Sequence, residues 1–305
     1  KYADNPDFER AILVKSKSPL YYQYYAQAKY WFTNSRAYDW ISKKDQQVYV
    51  QCWHGTPWKR LGLDIKVDTK SALNTTQDIW DKYIYEGKLH DWLLSPSPYT
   101  TERLSSAFGH ADHSKIIERG YPRNDYLFNY TKEEAKRIKD ELGIDESKKV
   151  ILYAPTWRDD QHKANVGYTY QTEIDFNLLR NELGNEYVVL FRAHYFVANS
   201  FDFAQYEGFV YNVSEIDDIN ELYVISDLLI TDYSSVFFDF SNLRRPIIFH
   251  LYDYQHYAGK LRGFYFGFDE LPGPITQTDE ELIKAIKTLD EYEEKYGSSY
   301  KAFNK

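Results

Sequence analysis

The sequence predicts an α/β protein made of two Rossmann-like halves that face each other across a cleft. Three observations carry that prediction. Strand-like and helix-like segments alternate along the 305 residues, the pattern of mostly parallel sheets with helical crossovers. A polar loop, GYPRND at 120–125, interrupts the alternation near its middle. Three apolar runs beyond that loop end in hydroxyl, arginine or histidine turns, and open parallel sheets bind their ligands beyond the carboxyl ends of their strands.

In chain order, the first half offers strands at 11–14, 30–33, 48–53, 92–96 and 115–118, with helical patterns between them, as at 20–28 and 100–108. After the 120–125 loop, Thr131 supplies an N-cap hydroxyl and Glu134 the matching capping-box carboxylate. The domains are therefore set at 1–125 and 126–305, the first for the acceptor and the second for the phosphate-bearing donor. The second half reads as strand 149–154, helix 175–183, strand 187–192, strand 209–213, helix 217–225, strand 227–231, helix 235–243 and strand 246–250. A helix from Asp279 to about 296 ends it.

Bulk properties narrow the function. No apolar stretch approaches the ~20 residues that span a bilayer, and no signal peptide is evident. The single Cys52 excludes an internal disulfide and cysteine-cluster metal sites, and it suits a reducing cytoplasm. Met is absent and the sequence starts at Lys1, before which an initiator Met is ordinarily kept, so the sequence is expected to be part of something longer. Residues 1–125 hold 18 Lys and Arg against 15 Asp and Glu; the remainder holds 19 against 31. That balance excludes global nucleic-acid binding, and a phosphate ligand must be held by local groups. The 30 Tyr suit either packing with hydroxyls in water or an interfacial surface. The Tyr-rich stretch 21–31 reads equally as an interfacial helix or a core-facing one.

The motifs sit at strand ends. TDYSS at 231–235 follows an apolar run and opens a helical pattern, where free backbone N–H groups, the helix dipole and the hydroxyls of Thr231, Ser234 and Ser235 suit an anion. Asp232 there reads also as a plain N-cap. Thr156 and Arg158 follow the strand at 149–154. Arg192 and His194 stand two apart after the strand at 187–192, so both point to one side; a guanidinium forks onto phosphate oxygens. The alternative for these two is a salt bridge and a surface histidine. In WHGTPWKR at 53–60, Gly55 and Pro57 force a turn that presents His54 at a strand end, with Thr56, Lys59 and Arg60 beside it. An imidazole titrates near neutrality and suits taking a proton from a hydroxyl; the alternative is a structural histidine bonded to a loop carbonyl. No Walker A loop, GxGxxG, zinc-protease helix or nucleophile elbow occurs. No acidic pair reads as a metal site, so no metal or other cofactor is expected, and Arg, Lys, His and helix dipoles would neutralise the phosphate charge.

Taken together, QCWHGTPWKRLG (51–62), SPSP (95–98), GYPRND (120–125), LYAPTWR (152–158), FRAH (191–194), SDLLITDYSSV (226–236), RRPIIF (244–249) and LRGFYF (261–266) resemble the CDP-glycerol glycerophosphotransferase family, the teichoic acid primases and polymerases of Gram-positive bacteria. The resemblance covers nearly the whole chain in order. It implies a GT-B fold with a C-terminal helix crossing back, and transfer of a polyol phosphate from CDP-glycerol or CDP-ribitol to a hydroxyl of a lipid-linked or polyol-phosphate acceptor, with release of CMP. It implies work at the inner face of the cell membrane, and two functional histidines at His54 and His194. Substrate contacts are then expected from Gly55, Thr56, Lys59, Arg123, Thr156, Arg158, Arg192, Thr231, Asp232, Ser234 and Ser235. A nucleotide-sugar glycosyltransferase and a non-catalytic polyanion-binding protein are the alternatives.

Overall fold

The computed structural model describes residues 8–38, 41–66, 75–156, 162–163, 167–168, 174–193, 202–253 and 263–304. Arg158 and His194 lie outside the described residues. The chain forms two compact units, Lys1–His54 with Leu61–Tyr121, and Gly55–Arg60 with Pro122–Lys305. The boundary thus falls at Tyr121–Pro122, and 55–60 belongs to the second unit although both its flanks belong to the first. The sequence reading, with one cut at 125, missed that excursion.

The first unit is a four-stranded parallel sheet in the order β1 (Tyr30–Thr33), β2 (Val48–Gln51), β3 (Trp92–Ser95), β4 (Ile116–Glu118). Helix α1 is Pro19–Gln27, α2 is Thr76–Leu89 and α3 is Pro98–Phe108. Ser18, Thr75 and Ser97 cap them by accepting backbone N–H groups. The expected strand at 11–14 is absent: those residues have no regular structure, and Ile12 and Leu13 are exposed. An apolar run alone does not make a strand without a partner to bond its backbone. Helix α1 has no fully buried residue, but Tyr25 and Ala28 pack against the cluster of Trp31, Ile41 and Tyr49, so one side of the Tyr-rich stretch faces the core.

The second unit is a six-stranded sheet in the order β12 (Ile275–Thr276), β11 (Ile247–His250), β10 (Leu228–Thr231), β5 (Lys149–Ala154), β8 (Tyr187–Phe191), β9 (Val210–Asn212), every pairing parallel. A short antiparallel hairpin, β6 (His162–Lys163) with β7 (Gly167–Tyr168), stands apart. Read from the other edge, the order is the Rossmann one, with the reversal between β5 and β10. The capping box of Thr131 and Glu134 opens the helix Lys132–Glu141. The single helix expected from Asp279 divides into Asp279–Lys287, a tight turn at Leu289–Glu291 and Tyr292–Phe303. Phe303 of the last helix packs against Phe237, Phe238 and Phe266 of the same unit.

Apolar residues cover both faces of this sheet. One cluster gathers Val150, Leu152, Val188, Leu190, Leu229, Ile247 and Phe249; the other gathers Ile151, Val189, Phe191, Leu228, Ile230 and Ile248. The alternation along each strand sends successive side chains to opposite faces. Trp58 is driven into the first cluster at 1% exposure, against Phe237, Phe264 and Phe268 at centroid distances of 5.4, 4.6 and 5.4 Å. Its indole N–H donates to Phe266 O at 3.3 Å, and the Tyr265 N–H donates to Trp58 O. That packing is what assigns 55–60 to the second unit.

Candidate functional site

In the first unit, β2 ends at Gln51 and the chain turns sharply. Trp53 takes φ +51°, a left-handed conformation that costs a bulky residue about 1–2 kcal/mol. Two contacts hold it there. Its N–H donates to Gln51 Oε1 at 2.8 Å, and its buried ring packs on Phe108 at 5.1 Å. The turn leaves His54 exposed, its ring tilted 31° against that of Trp53 at a centroid distance of 4.1 Å. His54 Nδ1 lies 2.8 Å from Asn34 O. A carbonyl only accepts, so Nδ1 carries the proton and the lone pair sits on Nε2. The loop-carbonyl partner that the sequence offered as the structural alternative is therefore the feature that fixes a base-competent tautomer.

In the second unit, the three predicted strand ends come together. Strands β10, β5 and β8 are adjacent and parallel, so the segments at 231–235, 154–156 and 192–193 leave one edge of one sheet side by side. Thr156 lies beyond β5 and Asp232 beyond β10, at the point where the strand order reverses. Asp232 Oδ1 accepts from Thr156 N at 2.7 Å and from Thr156 Oγ1 at 2.6 Å. Arg192 is half-buried, and its Nη1 donates to Val213 O and Ile216 O at 3.1 and 2.6 Å. Burial lowers its pKa, with Tyr223 and the nearby Asp218 and Asp217 opposing that. Its Nε and Nη2 groups have no hydrogen-bond partner among the described residues.

Several expected contacts resolve differently. Asp232 is not a helix N-cap: at 1% exposure its carboxylate ties the ends of β5 and β10. Thr231 is fully buried, and its hydroxyl donates to Ala154 O at 2.8 Å, so it tightens the strand pair and does not face a ligand. Arg123 forks onto the Asp239 carboxylate at 3.0–3.2 Å, with Asn124 Nδ2 donating to the same carboxylate at 2.8 Å; its charge is matched within the protein. The helix after the serines, Val236–Phe240, is only five residues long and Ser235 makes no side-chain cap bond, so the dipole contributes less than a long helix would. Ser234 is half-buried and Ser235 exposed. Gly55 approaches Ser235 closely enough that a Cβ there would stand 3.3 Å from the Ser235 Oγ. Thr56 is buried and Lys59 is half-buried, in a bridge to Phe264.

Sequence reasoning assigned no role to Gln51, Glu86 or Asn34. A glutamine closing a strand with buried neighbours is the signal that could have exposed the first, since a buried amide must find partners.

Two parallel sheets, the second in Rossmann order with polar groups gathered at its carboxyl edge, define an α/β protein of the GT-B type. The chain belongs to the CDP-Glycerol:Poly(glycerophosphate) glycerophosphotransferase family, whose model matches residues 3–305. It is 49% identical over 280 residues to the teichoic acid poly(glycerol phosphate) polymerase of Bacillus subtilis strain 168, covering 91% of this chain and 37% of that protein. It is 45% identical over 273 residues to the teichoic acid glycerol-phosphate transferase of Staphylococcus aureus strain NCTC 8325, covering 88% of this chain and 69% of that one. The solved structure of the wall teichoic acid polymerase TagF superposes with a TM-score of 0.89 at 43% identity, covering 95% of this chain and 71% of that one. A histidine-to-asparagine variant of that polymerase, soaked with CDPG, matches with a TM-score of 0.88. This chain spans less than half the length of the Bacillus subtilis relative.

Proposed function

We propose that this chain transfers glycerol phosphate from CDP-glycerol to a hydroxyl of a lipid-linked or polyol-phosphate acceptor, releasing CMP, in the synthesis of a wall teichoic acid or a related polymer. The observation that carries the reading is the His54 Nδ1–Asn34 carbonyl bond, which dedicates Nε2 to accepting a proton. Glycerol is favoured over ribitol because the relatives that match about nine tenths of the chain are named for glycerol phosphate.

The diphosphate lies at the carboxyl edge of the second sheet, against Arg192, Ser234 and Ser235, with Gly55 leaving room beside Ser235; Lys59 and Arg158 add positive charge. His54 Nε2 takes the proton of the acceptor hydroxyl. The acceptor oxygen bonds to the β-phosphorus as the bond from that phosphorus to the bridging oxygen breaks, and CMP leaves with the electron pair. His194 steadies the departing phosphate, a role resting on the family resemblance. Phosphoryl transfer of this kind depends on positioning and charge stabilisation.

The chain works as a peripheral protein at the inner membrane face. No helix among the described residues is long and apolar enough to cross a membrane, while Leu20, Tyr22 and Tyr24 on α1 and Tyr30 and Phe32 on β1 are each exposed. Cosedimentation with anionic vesicles that Leu20→Ser and Phe32→Ser weaken supports this placement; equal pelleting without lipid overturns it.

The decisive assay is CMP release from CDP-glycerol, CDP-ribitol and nucleotide sugars, with lipid-linked and polyol-phosphate acceptors. CDP-glycerol turnover, lowered on the order of 100-fold or more by His54→Ala, is the expected result. Consumption of a UDP- or GDP-sugar in its place overturns the reading.

A further inference from the structure

We propose that Gln51, braced by Glu86 and Tyr49, is the positioning residue that holds His54 in its base-competent tautomer and orientation. This rests on the reading of His54 as the base and names what sets it.

Two segments of chain must meet to form the His54 bond. The exposed 33–36 loop supplies the Asn34 carbonyl, and the 52–54 turn carries the imidazole. One last backbone bond joins them, from Cys52 N to Thr33 O at 2.7 Å; beyond it, Asn34 and His54 lie past the ends of β1 at Thr33 and β2 at Gln51. The Gln51 side chain, fully buried beneath them, bonds to both. Its Nε2 donates to Ser35 O at 3.0 Å, next to Asn34, and its Oε1 accepts from Trp53 N at 2.8 Å, next to His54. Past that backbone bond, one planar amide ties together the neighbours of the two partners of the His54 bond. It also satisfies the N–H that the left-handed turn at Trp53 would otherwise leave without a ladder partner.

An amide can present its two ends the wrong way round, and a carboxylate prevents that here. Glu86, on α2 and 2% exposed, accepts at Oε1 from Gln51 Nε2 at 3.1 Å and from Tyr49 OH at 2.5 Å, and at Oε2 from Ala37 N at 2.9 Å. A carboxylate only accepts, so the NH2 end of Gln51 must face it and the oxygen end must face Trp53. The Ala37 bond pins the same loop a few residues further on. Tyr49 OH also lies 2.9 Å from Gln51 Nε2 and from Thr33 Oγ1, and His90 Nε2 lies 3.4 Å from Glu86 Oε1. A buried carboxylate with four donors around it is held more firmly than any exposed one.

The alternative is that this network only stabilises the first sheet. Two variants separate the two roles. Gln51→Met keeps the length and removes both ends of the amide. Glu86→Gln keeps the shape but sets an NH2 group against at least one of the N–H or O–H donors. We expect kcat for CMP release to fall about 10- to 100-fold in Gln51→Met and by a smaller factor in Glu86→Gln, with the KM for CDP-glycerol within about twofold. Nitrogen-15 NMR of the histidine-labelled full chain, with the His54 signal assigned by its loss in His54→Ala, should show a single Nδ1–H tautomer in the parent and a mixture in both variants. Should Gln51→Met not fold, Glu86→Gln decides alone. Folded variants that keep the single tautomer, whatever their rate, overturn the proposal, as does an altered tautomer with unchanged kcat. Full turnover in His54→Ala, by contrast, would sink the assignment of the base itself.

Discussion

The two units achieve order by opposite means. The second sheet is enclosed by large apolar clusters on both faces, and even its inserted segment 55–60 is anchored by an indole. The first unit has two small clusters, one around Leu93, Leu104 and Phe108 and one around Trp31, Ile41 and Tyr49. Between its elements it buries Gln47, Gln51, Glu86 and His90. Apolar packing is non-directional and forgiving, which suits the task proposed for this sheet, presenting several edge groups to a large anion. A hydrogen-bond network is directional and intolerant of error, which suits the task proposed for this unit, aiming one ring nitrogen.

The contrast can be tested by breaking each kind of order in turn. Trp58→Ala should have the largest effect on stability, about 3–5 kcal/mol from the second unit, read as a lower denaturant midpoint and insensitive to salt; a loss under about 1 kcal/mol would show that 55–60 is held by something other than the indole. Asp232→Ala should cost about 1–3 kcal/mol, because Thr156 loses the acceptor of both its N–H and its hydroxyl. Hydrogen exchange should locate that loss at the ends of β5 and β10.

Acid should separate the units. His110 is held down to about 4, from an ordinary 6.5, first by burial and then by the charges of His90 and Lys115. Between those values the unfolded chain binds a proton that the folded one refuses, so the first unit loses stability as pH falls through that window. Glu86 adds to this further down. Burial alone would raise its pKa, but bonds from His90 and Tyr49 outweigh that and leave it lowered, so its contribution is lost as pH falls through its depressed value. Exchange protection should therefore fade in the first unit before the second, and His110→Asn should flatten the difference. Simultaneous fading would break the comparison. The smallest effect is expected from Gly55→Ala. It makes the Ser235 hydroxyl give by a few tenths of an ångström, with stability within about 0.5 kcal/mol and a raised KM for CDP-glycerol as the reading to check.

Sequence alone settled whatever is decided locally. The β2, β3, β5, β8 and β10 runs, the Thr131 cap and the polar ends of three strands all follow from composition over a few residues, because period, capping and turn chemistry act over one or two turns of chain. The tertiary structure decided the roles of individual polar groups. Asp232 meets Thr156 across 76 positions, Arg123 meets Asp239 across 116, and Gln51 meets Glu86 across 35. No local pattern records which of several donors a buried carboxylate will find, since that choice is made only when distant segments are packed together and water is excluded. For the same reason the segment 55–60, read as part of the first half, belongs to the second: its neighbours in sequence set its turn, and the apolar surface that takes Trp58 sets its place.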